Sequence, residues 1–358
     1  MKIFYGVQGT GNGHITRARA IAPKLKEAGA DVTWLFTGRP TSSFFDMGIF
    51  GDYLWRTGLT FETKQGHVQY LKTALKNNIL QFINDIRTLD LSAYDLVVTD
   101  FEPVTAWAAK LQGIKTVGIG HQYAFGHDIP MDGADFMGIQ VLKYFAPAHV
   151  GLGIHWDHFN GPILPPMIET TLPKVPKKTG KIIVYLPFED VYEVIELLRP
   201  FNTHEFHLYN PGGAISENES PAHVSVKGLS REGFQADFAE CSGVICNAGF
   251  ELPSESLHFG KKLLVKPLHG QMEQLSNAMA LKTLSLGDVM HDLDPEAIAT
   301  WFEQDHSHTV RYPDVAGLVV EWLMRGDLAV HPSWIKEVWA RCEHINYFPH
   351  HQPPTPLP

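Results

Sequence analysis

Short runs of apolar residues alternate along the chain with longer segments in which apolar residues recur every three or four positions. The first run, residues 2–7, is followed by a glycine-rich stretch and then by Ile15, Ile21 and Leu25 at helical spacing. This order predicts a strand, a loop and a helix, and a further strand is predicted at residues 31–36. Repeated units of this kind are typical of a parallel sheet with helices on both faces.

The alternation continues through two similar halves, which a proline-rich stretch separates. Residues 161–180 hold the sequence GPILPPMIETTLPKVPKKTG and predict an inter-domain linker. We therefore expect an N-terminal domain at 1–160, a second domain at 181–332, a terminal helix at 333–348 and a disordered tail at 349–358. The further predicted strands lie at 94–99, 116–119, 150–154, 181–186, 205–209, 223–227, 244–246 and 263–265.

The first predicted helix has a charged side. Arg17, Arg19, Lys24 and Lys26 fall opposite its apolar residues, which predicts a solvated face. Pro23 lies inside the pattern and predicts a kink or a late helix start.

Composition narrows the classes of protein. The chain has 358 residues, enough for two α/β domains, and its 44% hydrophobic and 19% charged residues are typical of a globular protein. A net charge of −10 argues against nucleic acid as the main ligand. Three cysteines, an odd number without zinc-ligand spacing, predict reduced thiols. With no signal peptide or transmembrane run in the pattern, we expect a cytoplasmic protein, and a peripheral membrane contact stays open.

Residues 8–14, QGTGNGH, form the glycine-rich loop after the first predicted strand. The glycines do not match the dinucleotide-binding spacing, and Thr37-Gly38-Arg39 rather than an acid closes the second strand, so an NAD(P) site is disfavoured. A tight turn without function and a ligand-binding loop that ends in His14 are the other two interpretations.

Two carboxylates follow the predicted strand at 94–99. Asp100 and Glu102 come at its carboxyl end, where ligands bind in parallel sheets. Because the loop that ends in His14 follows a strand of the same sheet, a histidine and a carboxylate are expected at one edge.

The second half holds a strand–turn–helix unit with polar residues around it. After the strand at 244–246 come the turn Asn247-Ala248-Gly249 and a helix that ends at Gly260. Such a turn directs backbone N–H groups and a positive helix end towards a ligand, which suits a phosphate. Glu255 and the polar cluster Gln271, Glu273 and Gln274 could bind sugar hydroxyls, although an ordinary βαβ unit with solvated polar residues would have the same pattern.

This stretch resembles a known donor-binding signature. In type and spacing it is similar to that of GT-B glycosyltransferases of the MurG-like and UDP-glycosyltransferase-like families, and residues 9–18, GTGNGHITRA, resemble their N-terminal loop. The sequence departs from the pattern at Glu251 and Leu252, where small polar residues are common, and at Lys262, which replaces a proline. The matching residues are Gly249, Glu255, Gly260, Pro267, Glu273, Gln274, Asn277 and Ala278.

The resemblance implies a GT-B fold: two Rossmann-like, doubly wound parallel-sheet domains that face a cleft, with a terminal helix that crosses back to the first domain. In these families the glutamate binds the nucleotide ribose, the turn binds the pyrophosphate and the acidic-Gln pair binds the donor sugar. The implied donor-binding residues are Gly11, Asn12, Gly13, Asn247, Gly249, Phe250, Glu255, Gln271, Glu273 and Gln274.

The resemblance also implies a catalytic histidine. His14 is then the general base, Asp100 its carboxylate partner and Glu102 the replacement for either role. The alternative is that His14 and Asp100 cap the helices that follow them. Asp294 could be mistaken for part of a metal-binding DxD motif, but Pro295 follows it and it is expected to be a helix N-cap.

These observations predict transfer of a sugar from a nucleotide-sugar, most simply a UDP-sugar, to an acceptor hydroxyl with inversion. No metal and no cofactor are expected, because GT-B enzymes of this type stabilise the leaving diphosphate with helix dipoles and side chains. The enzymatic alternatives are a nucleotide-sugar hydrolase and, more remotely, a 2-epimerase of the same fold. A non-catalytic sugar-nucleotide-binding protein is the alternative outside enzymes. The oligomeric state is not predicted.

Overall fold

The computed structural model describes residues 1–59, 63–64, 67–68, 78–133, 136–304 and 308–345. The whole predicted tail at 349–358 and the last three residues of the predicted terminal helix at 333–348 lie outside these residues.

Strands and helices alternate along the described chain. The strands are β1 (Lys2–Gln8), β2 (Asp31–Thr37), β3 (Leu54–Trp55), β4 (Thr63–Lys64), β5 (His67–Val68), β6 (Leu96–Asp100), β7 (Thr116–Gly120), β8 (Val150–Ile154), β9 (Ile163–Leu164), β10 (Lys181–Tyr185), β11 (Glu205–Asn210), β12 (Val224–Gly228), β13 (Gly243–Asn247), β14 (Lys262–Lys266), β15 (Asp288–Val289), β16 (Thr309–Arg311) and β17 (Glu343–Ile345). The helices are α1 (Asn12–Glu27), α2 (Ile79–Thr88), α3 (Pro103–Gln112), α4 (Phe136–Tyr144), α5 (Val191–Leu198), α6 (Arg231–Glu240), α7 (Glu251–His258), α8 (Met272–Thr283), α9 (Pro295–Glu303), α10 (Val315–Arg325) and α11 (Pro332–Trp339).

The chain divides into two compact units. Unit 1 comprises Met1–Ile129, Ala134–Thr170 and Tyr312–Arg341. Unit 2 comprises Pro130–Gly133, Thr171–Arg311 and the described residues of Cys342–Pro358.

Unit 1 is built on a parallel sheet in the order β3-β2-β1-β6-β7-β8-β9. β1 lies inside this sheet and is buried on both faces, which explains why its sequence is a continuous apolar run. Its register pairs Val7 with Asp100 of β6. The loop after β1 and the carboxyl end of β6 therefore lie side by side.

Unit 2 repeats the plan with a parallel sheet in the order β12-β11-β10-β13-β14-β15. β10 is the first of these strands in the sequence. β11 and β12 lie on one side of it and β13, β14 and β15 on the other, so the strand order reverses at β10, which makes this a topological switch point. Phe206, Ile245 and Trp301 are buried in its core. Ligands bind at such a switch point in doubly wound sheets.

Several elements differ from the sequence predictions. The predicted linker at 161–180 includes the strand β9 and the buried side chains of Met167 and Ile168, because apolar residues lie between its prolines. The terminal helix ends at Trp339, and Glu343–Ile345 pair with β16 in an antiparallel ladder instead. Pairing with a distant strand here outweighs the local helical pattern.

Helix α10 belongs to unit 1, whereas the sequence pattern placed it within a second domain at 181–332. Lys24 of α1 forms an ion pair of 2.8 Å with Asp314, the residue that caps α10. Helix α1 also runs without interruption through Pro23, so the late start is not observed. Asp294 caps α9, as expected, by accepting a hydrogen bond from the backbone N–H of Glu296.

Among the described helices, none combines the length and the apolar character needed to cross a membrane.

Candidate functional site

The glycine-rich loop of unit 1 leads directly into helix α1. The backbone N–H of Gly9 donates to the carbonyl of Thr37 at 2.7 Å and fixes the loop against β2. Gly11 is the N-cap residue, and Asn12 and Gly13 open the helix. His14 therefore lies in the first turn of α1, beside the carboxyl end of β6.

His14, Arg17 and Asp100 form a compact hydrogen-bonded cluster. His14 Nδ1 lies 2.8 Å from Asp100 Oδ1, and Arg17 donates to both oxygens of the same carboxylate, from Nε at 2.8 Å and from Nη2 at 2.7 Å. Arg17 Nη2 lies 3.0 Å from His14 Nδ1. Because His14 and Arg17 are three residues apart on one helix, both side chains reach the same carboxylate.

Burial and charge fix the state of this cluster. Asp100 is fully buried and Arg17 is 2% exposed, whereas the side chain of His14 is 15% exposed. Burial raises the pKa of Asp100, but the adjacent Arg17 and His14 lower it by more, so the pKa lies below its ordinary value. The carboxylate is therefore ionised at neutral pH.

An ionised Asp100 favours one tautomer of His14. With the proton on Nδ1, the imidazole donates to Asp100 Oδ1, and Nε2 keeps its lone pair. In this tautomer the neighbouring Arg17 Nη2 is not hydrogen-bonded to His14, and both groups donate to Asp100. A histidine in this state can accept a proton from a hydroxyl group, and the carboxylate then stabilises the imidazolium. His14 and Asp100 thus contact each other as a base and its partner would, and neither is a helix cap.

Glu102 has a different role from Asp100. It is the N-cap of α3 and accepts hydrogen bonds from the backbone N–H groups of Val104 at 2.8 Å and Thr105 at 2.7 Å. Thr37 Oγ1 lies 3.0 Å from the same carboxyl group, which is fully buried. Glu102 therefore caps α3, and the described residues show no contact between Glu102 and His14.

Phe101 separates the two carboxylates and has a φ of 51°. A bulky residue rarely adopts this left-handed conformation, and such strain is common at functional sites. It places Asp100 against α1 and Glu102 against the first turn of α3. Two residues of similar chemistry, separated by one position, therefore have different partners.

Two further residues complete the unit 1 cluster, and the sequence analysis did not identify either. Arg17 was placed on a solvated face, as was Arg19, yet both are buried; this expectation was wrong because the partners of Arg17 come from β6. Gly120, at the end of β7, leaves the necessary space. A Cβ atom there would lie 3.0 Å from Asp100 Oδ1.

The turn after β13 in unit 2 is held by hydrogen bonds to two neighbouring elements. The backbone N–H of Ala248 and the side-chain Nδ2 of Asn247 both donate to the carbonyl of Lys266, at 3.0 and 3.1 Å. From α8, Asn277 Nδ2 donates to the carbonyl of Ala248 at 3.0 Å. The turn that leads through Gly249 to α7 is therefore fixed in position.

The residues that follow this turn present backbone groups and carboxylates. Phe250 precedes α7 and has no side-chain oxygen that could cap the N–H groups of the first turn. Glu251, in that turn, is buried, whereas Glu255, in the next turn, is partly exposed. Glu273, in the first turn of α8, is also partly exposed.

The two predicted donor-binding glutamines have backbone partners. Gln271 is the N-cap of α8, and its Oε1 accepts from the N–H of Gln274 at 2.7 Å. Gln274 Oε1 in turn accepts from the N–H of Leu268 at 3.1 Å. Each has an amide nitrogen in addition to the oxygen used here.

One buried ion pair at the same sheet edge was not predicted. Lys266, the last residue of β14, donates from Nζ to Glu189 Oε1 at 2.8 Å, and the two side chains are 3% and 8% exposed. The available signal was a lysine at the end of a strand whose central residues, 263–265, are apolar.

Comparison with known proteins identifies the family. The family model described as glycosyl transferase family 1 matches residues 1–129 and 157–304. A search of curated proteins found no match.

Solved structures share the fold at low sequence identity. MurG from Acinetobacter baumannii is 16% identical, with a TM-score of 0.51 and coverage of 95% of this chain and 94% of that one. The glycosyltransferase SnogD from Streptomyces nogalater is 16% identical, with a TM-score of 0.54 and coverage of 95% and 99%. The spinosyn rhamnosyltransferase SpnG complexed with thymidine diphosphate is 11% identical, with a TM-score of 0.56 and coverage of 95% and 100%. The predicted fold and family are confirmed: the chain belongs to glycosyl transferase family 1 and is a glycosyltransferase with the two Rossmann-like domains of the GT-B fold.

Proposed function

We propose that this glycosyltransferase transfers a sugar from a UDP-sugar to an acceptor hydroxyl, with inversion at the anomeric carbon and without a metal ion. The observation that carries the proposal is the contact of 2.8 Å between His14 Nδ1 and the buried carboxylate of Asp100. This contact supplies an oriented proton acceptor in a partly exposed position.

His14 acts as the general base in the proposed reaction. Its Nε2 takes the proton of the acceptor hydroxyl, and the acceptor oxygen forms a bond to the anomeric carbon. The bond between that carbon and the diphosphate oxygen breaks, so the nucleoside diphosphate leaves with the electron pair. A single displacement of this kind inverts the configuration at the anomeric carbon.

Asp100 and Arg17 prepare His14 for this step. The carboxylate orients the imidazole and stabilises the imidazolium, and Arg17 holds both carboxylate oxygens.

Unit 2 supplies the proposed donor contacts. The backbone N–H groups at the start of α7 would bind the diphosphate, since the positive end of a helix stabilises an anion without a metal. Glu255 would accept hydrogen bonds from the ribose hydroxyls, and Glu273 from hydroxyls of the donor sugar. The partial exposure of these two carboxylates supports these roles.

The nucleotide can be tested because UDP and thymidine diphosphate differ at the ribose. SpnG was solved with thymidine diphosphate, which lacks the 2′-hydroxyl. A glutamate that accepts from both ribose hydroxyls would favour UDP. We therefore expect UDP to raise the melting temperature more than thymidine diphosphate, GDP, ADP or NAD(P). At one hundred times its Kd, bound UDP should raise the free energy of unfolding by about 2.7 kcal/mol.

Glu255→Gln provides the matched variant for this screen. It removes the carboxylate with little change in shape, so the advantage of UDP over thymidine diphosphate should largely disappear while the ligand-free protein melts as before. A larger shift with thymidine diphosphate or NAD(P) would contradict the proposed donor. Release of UDP from a UDP-sugar at the same rate without an acceptor would indicate hydrolysis instead of transfer.

A further inference from the structure

The buried ion pair between Lys266 and Glu189 lies at the switch point of the unit 2 sheet. Lys266 ends β14, and Glu189 comes four residues after the end of β10 at Tyr185. β13 lies between these two strands, so the contact of 2.8 Å spans the carboxyl end of β13. The turn to α7 begins at this point, with Asn247.

The ammonium group of Lys266 has fewer partners than those of comparable lysines. Lys181 and Lys261 are also buried in unit 2, and each donates to two oxygens at 2.8–2.9 Å. Lys266 is 3% exposed, yet within the described parts of the chain Glu189 is its one hydrogen-bond acceptor. An ammonium group has three N–H donors, so Lys266 retains donors for another acceptor.

Asn247 provides a second, independent sign of a ligand at this edge. It pairs with Lys266 in the strand register and is 7% exposed. Its Nδ2 bonds the carbonyl of Lys266, but its Oδ1 has no hydrogen-bond partner among the residues that the structure describes. A buried amide oxygen without a donor is costly unless a ligand supplies one.

We propose that Lys266 binds the diphosphate of the donor, with Glu189 as a competing partner for the same ammonium group; this inference rests on the proposed function. In the empty site, Glu189 compensates the charge of Lys266. When the diphosphate binds, its oxygens accept from the remaining N–H donors of Lys266, and Asn247 Oδ1 accepts from a hydroxyl group of the same ligand. The carboxylate of Glu189 repels the diphosphate, so it weakens binding and speeds release of the nucleoside diphosphate product.

Calorimetric titration of the full chain with UDP and with uridine tests this role. Lys266→Met should weaken UDP binding at least tenfold and leave uridine binding within twofold, because uridine has no phosphate. Glu189→Gln should strengthen UDP binding at least threefold, because it removes the competing charge.

The double variant Glu189→Gln/Lys266→Met separates ligand binding from folding. Lys266→Met alone leaves Glu189 buried without its cation, which can destabilise the protein. The double variant has no buried charge at this position, and it should still lose tenfold or more in UDP affinity. UDP binding by the folded double variant at the wild-type affinity would overturn the proposal.

Lys261→Met is the matched control, since it removes another buried lysine from the opposite end of the same strand region. It should keep the wild-type affinity for UDP. An equal loss of UDP affinity in Lys261→Met would show that the Lys266→Met effect comes from net charge alone, which would overturn the inference.

The outcomes separate this inference from the proposed function. If the wild type binds UDP but Lys266 proves irrelevant, this inference alone fails. If the wild type binds inorganic pyrophosphate through Lys266 but no nucleotide, the anion site stands and the proposed function fails. If it binds neither, both fail.

Discussion

The carboxyl edges of the two sheets follow the same strand plan but are organised differently. In unit 1, the carboxylate of Asp100 has three hydrogen-bond contacts with His14 and Arg17, and the cluster is almost completely buried. In unit 2, Lys266 Nζ has one acceptor, and Asn247 Oδ1 has no donor, among the residues that the structure describes. The polar groups of the first edge are held by internal hydrogen bonds, whereas those of the second have unused hydrogen-bonding capacity among the described residues.

The difference fits the roles that we propose for the two edges. A general base must be oriented before the substrate arrives, because misplacement of the proton acceptor costs rate. A diphosphate site must bind and release a charged group in every cycle. Changes in unit 1 should therefore affect turnover, and changes in unit 2 should affect affinity for the donor.

The largest effect is expected from His14→Ala. Removal of the proton acceptor should lower kcat by about a thousandfold, within the range typical of general bases. UDP affinity should stay within threefold of the wild type, because the contacts proposed for the ribose and the diphosphate in Proposed function come from unit 2. Steady-state kinetics with the preferred donor and acceptor, together with calorimetric UDP binding, measure both quantities.

His331→Ala serves as the control for His14→Ala. His331 is exposed and forms no capping hydrogen bond at the start of α11, so its loss should leave kcat unchanged. Near-normal turnover of His14→Ala would end the assignment of His14 as the base. A parallel loss of UDP affinity in His14→Ala would instead contradict the proposal that unit 1 affects turnover and unit 2 affects donor affinity.

A smaller effect, with a defined sign, is expected from Arg17→Met. Without Arg17, the buried carboxylate of Asp100 loses its permanent cation, so the pKa of Asp100 should rise. The free energy of unfolding should fall by about 3 kcal/mol at pH 7. This difference from the wild type should shrink as the pH falls, because a protonated Asp100 needs no cation. The measurement is chemical denaturation at several pH values, and a difference that does not depend on pH would contradict this role.

Arg17→Lys controls for the charge, because it keeps a cation beside Asp100 and should keep most of the stability at pH 7. An Arg17→Lys variant as unstable as Arg17→Met would show that the planar guanidinium, which donates to both carboxylate oxygens, matters more than the charge.

The sequence predicts the order of elements and the neighbourhood of His14 and Asp100 because periodicity marks strands, and the ends of parallel strands share an edge. It does not predict that Arg17 is buried. On helical spacing alone Arg17 falls on the polar side of α1, and its partner Asp100 is 83 positions away. Nor does the pattern separate Asp100 from Glu102, because their roles depend on the left-handed backbone at Phe101.

Unit 2 shows a second limit of the sequence pattern. The family resemblance assigns Gln271 and Gln274 to the donor, but it does not show that their oxygens already accept backbone N–H bonds. Lys266 lies outside the resemblance, and its importance depends on Glu189, which is far away in the sequence but close in space. Long-range pairs of polar residues leave no periodic signal.

The smallest effect is expected from substitutions of Gln271, the N-cap residue of α8. If the oxygen of Gln271 acts as a cap, Gln271→Ala should lower the free energy of unfolding by about 1 kcal/mol. Gln271→Asn should keep most of that stability, because Asn is a favoured N-cap residue, although its side chain is shorter by one methylene. Chemical denaturation of the wild type and both variants measures these differences.

The same two variants also separate capping from donor binding. A residue that only fixes the start of α8 should leave the KM for the donor within threefold in both variants, and we expect this result because the oxygen of Gln271 is already used at 2.7 Å by the N–H of Gln274. An Asn variant of wild-type stability with a KM raised tenfold would assign the side chain to the donor sugar, as the family resemblance implies. In that case Gln271 would be fixed by an internal hydrogen bond and would also contact the substrate, as proposed for His14 in unit 1. The difference between the two edges would then apply only to Lys266 and Asn247.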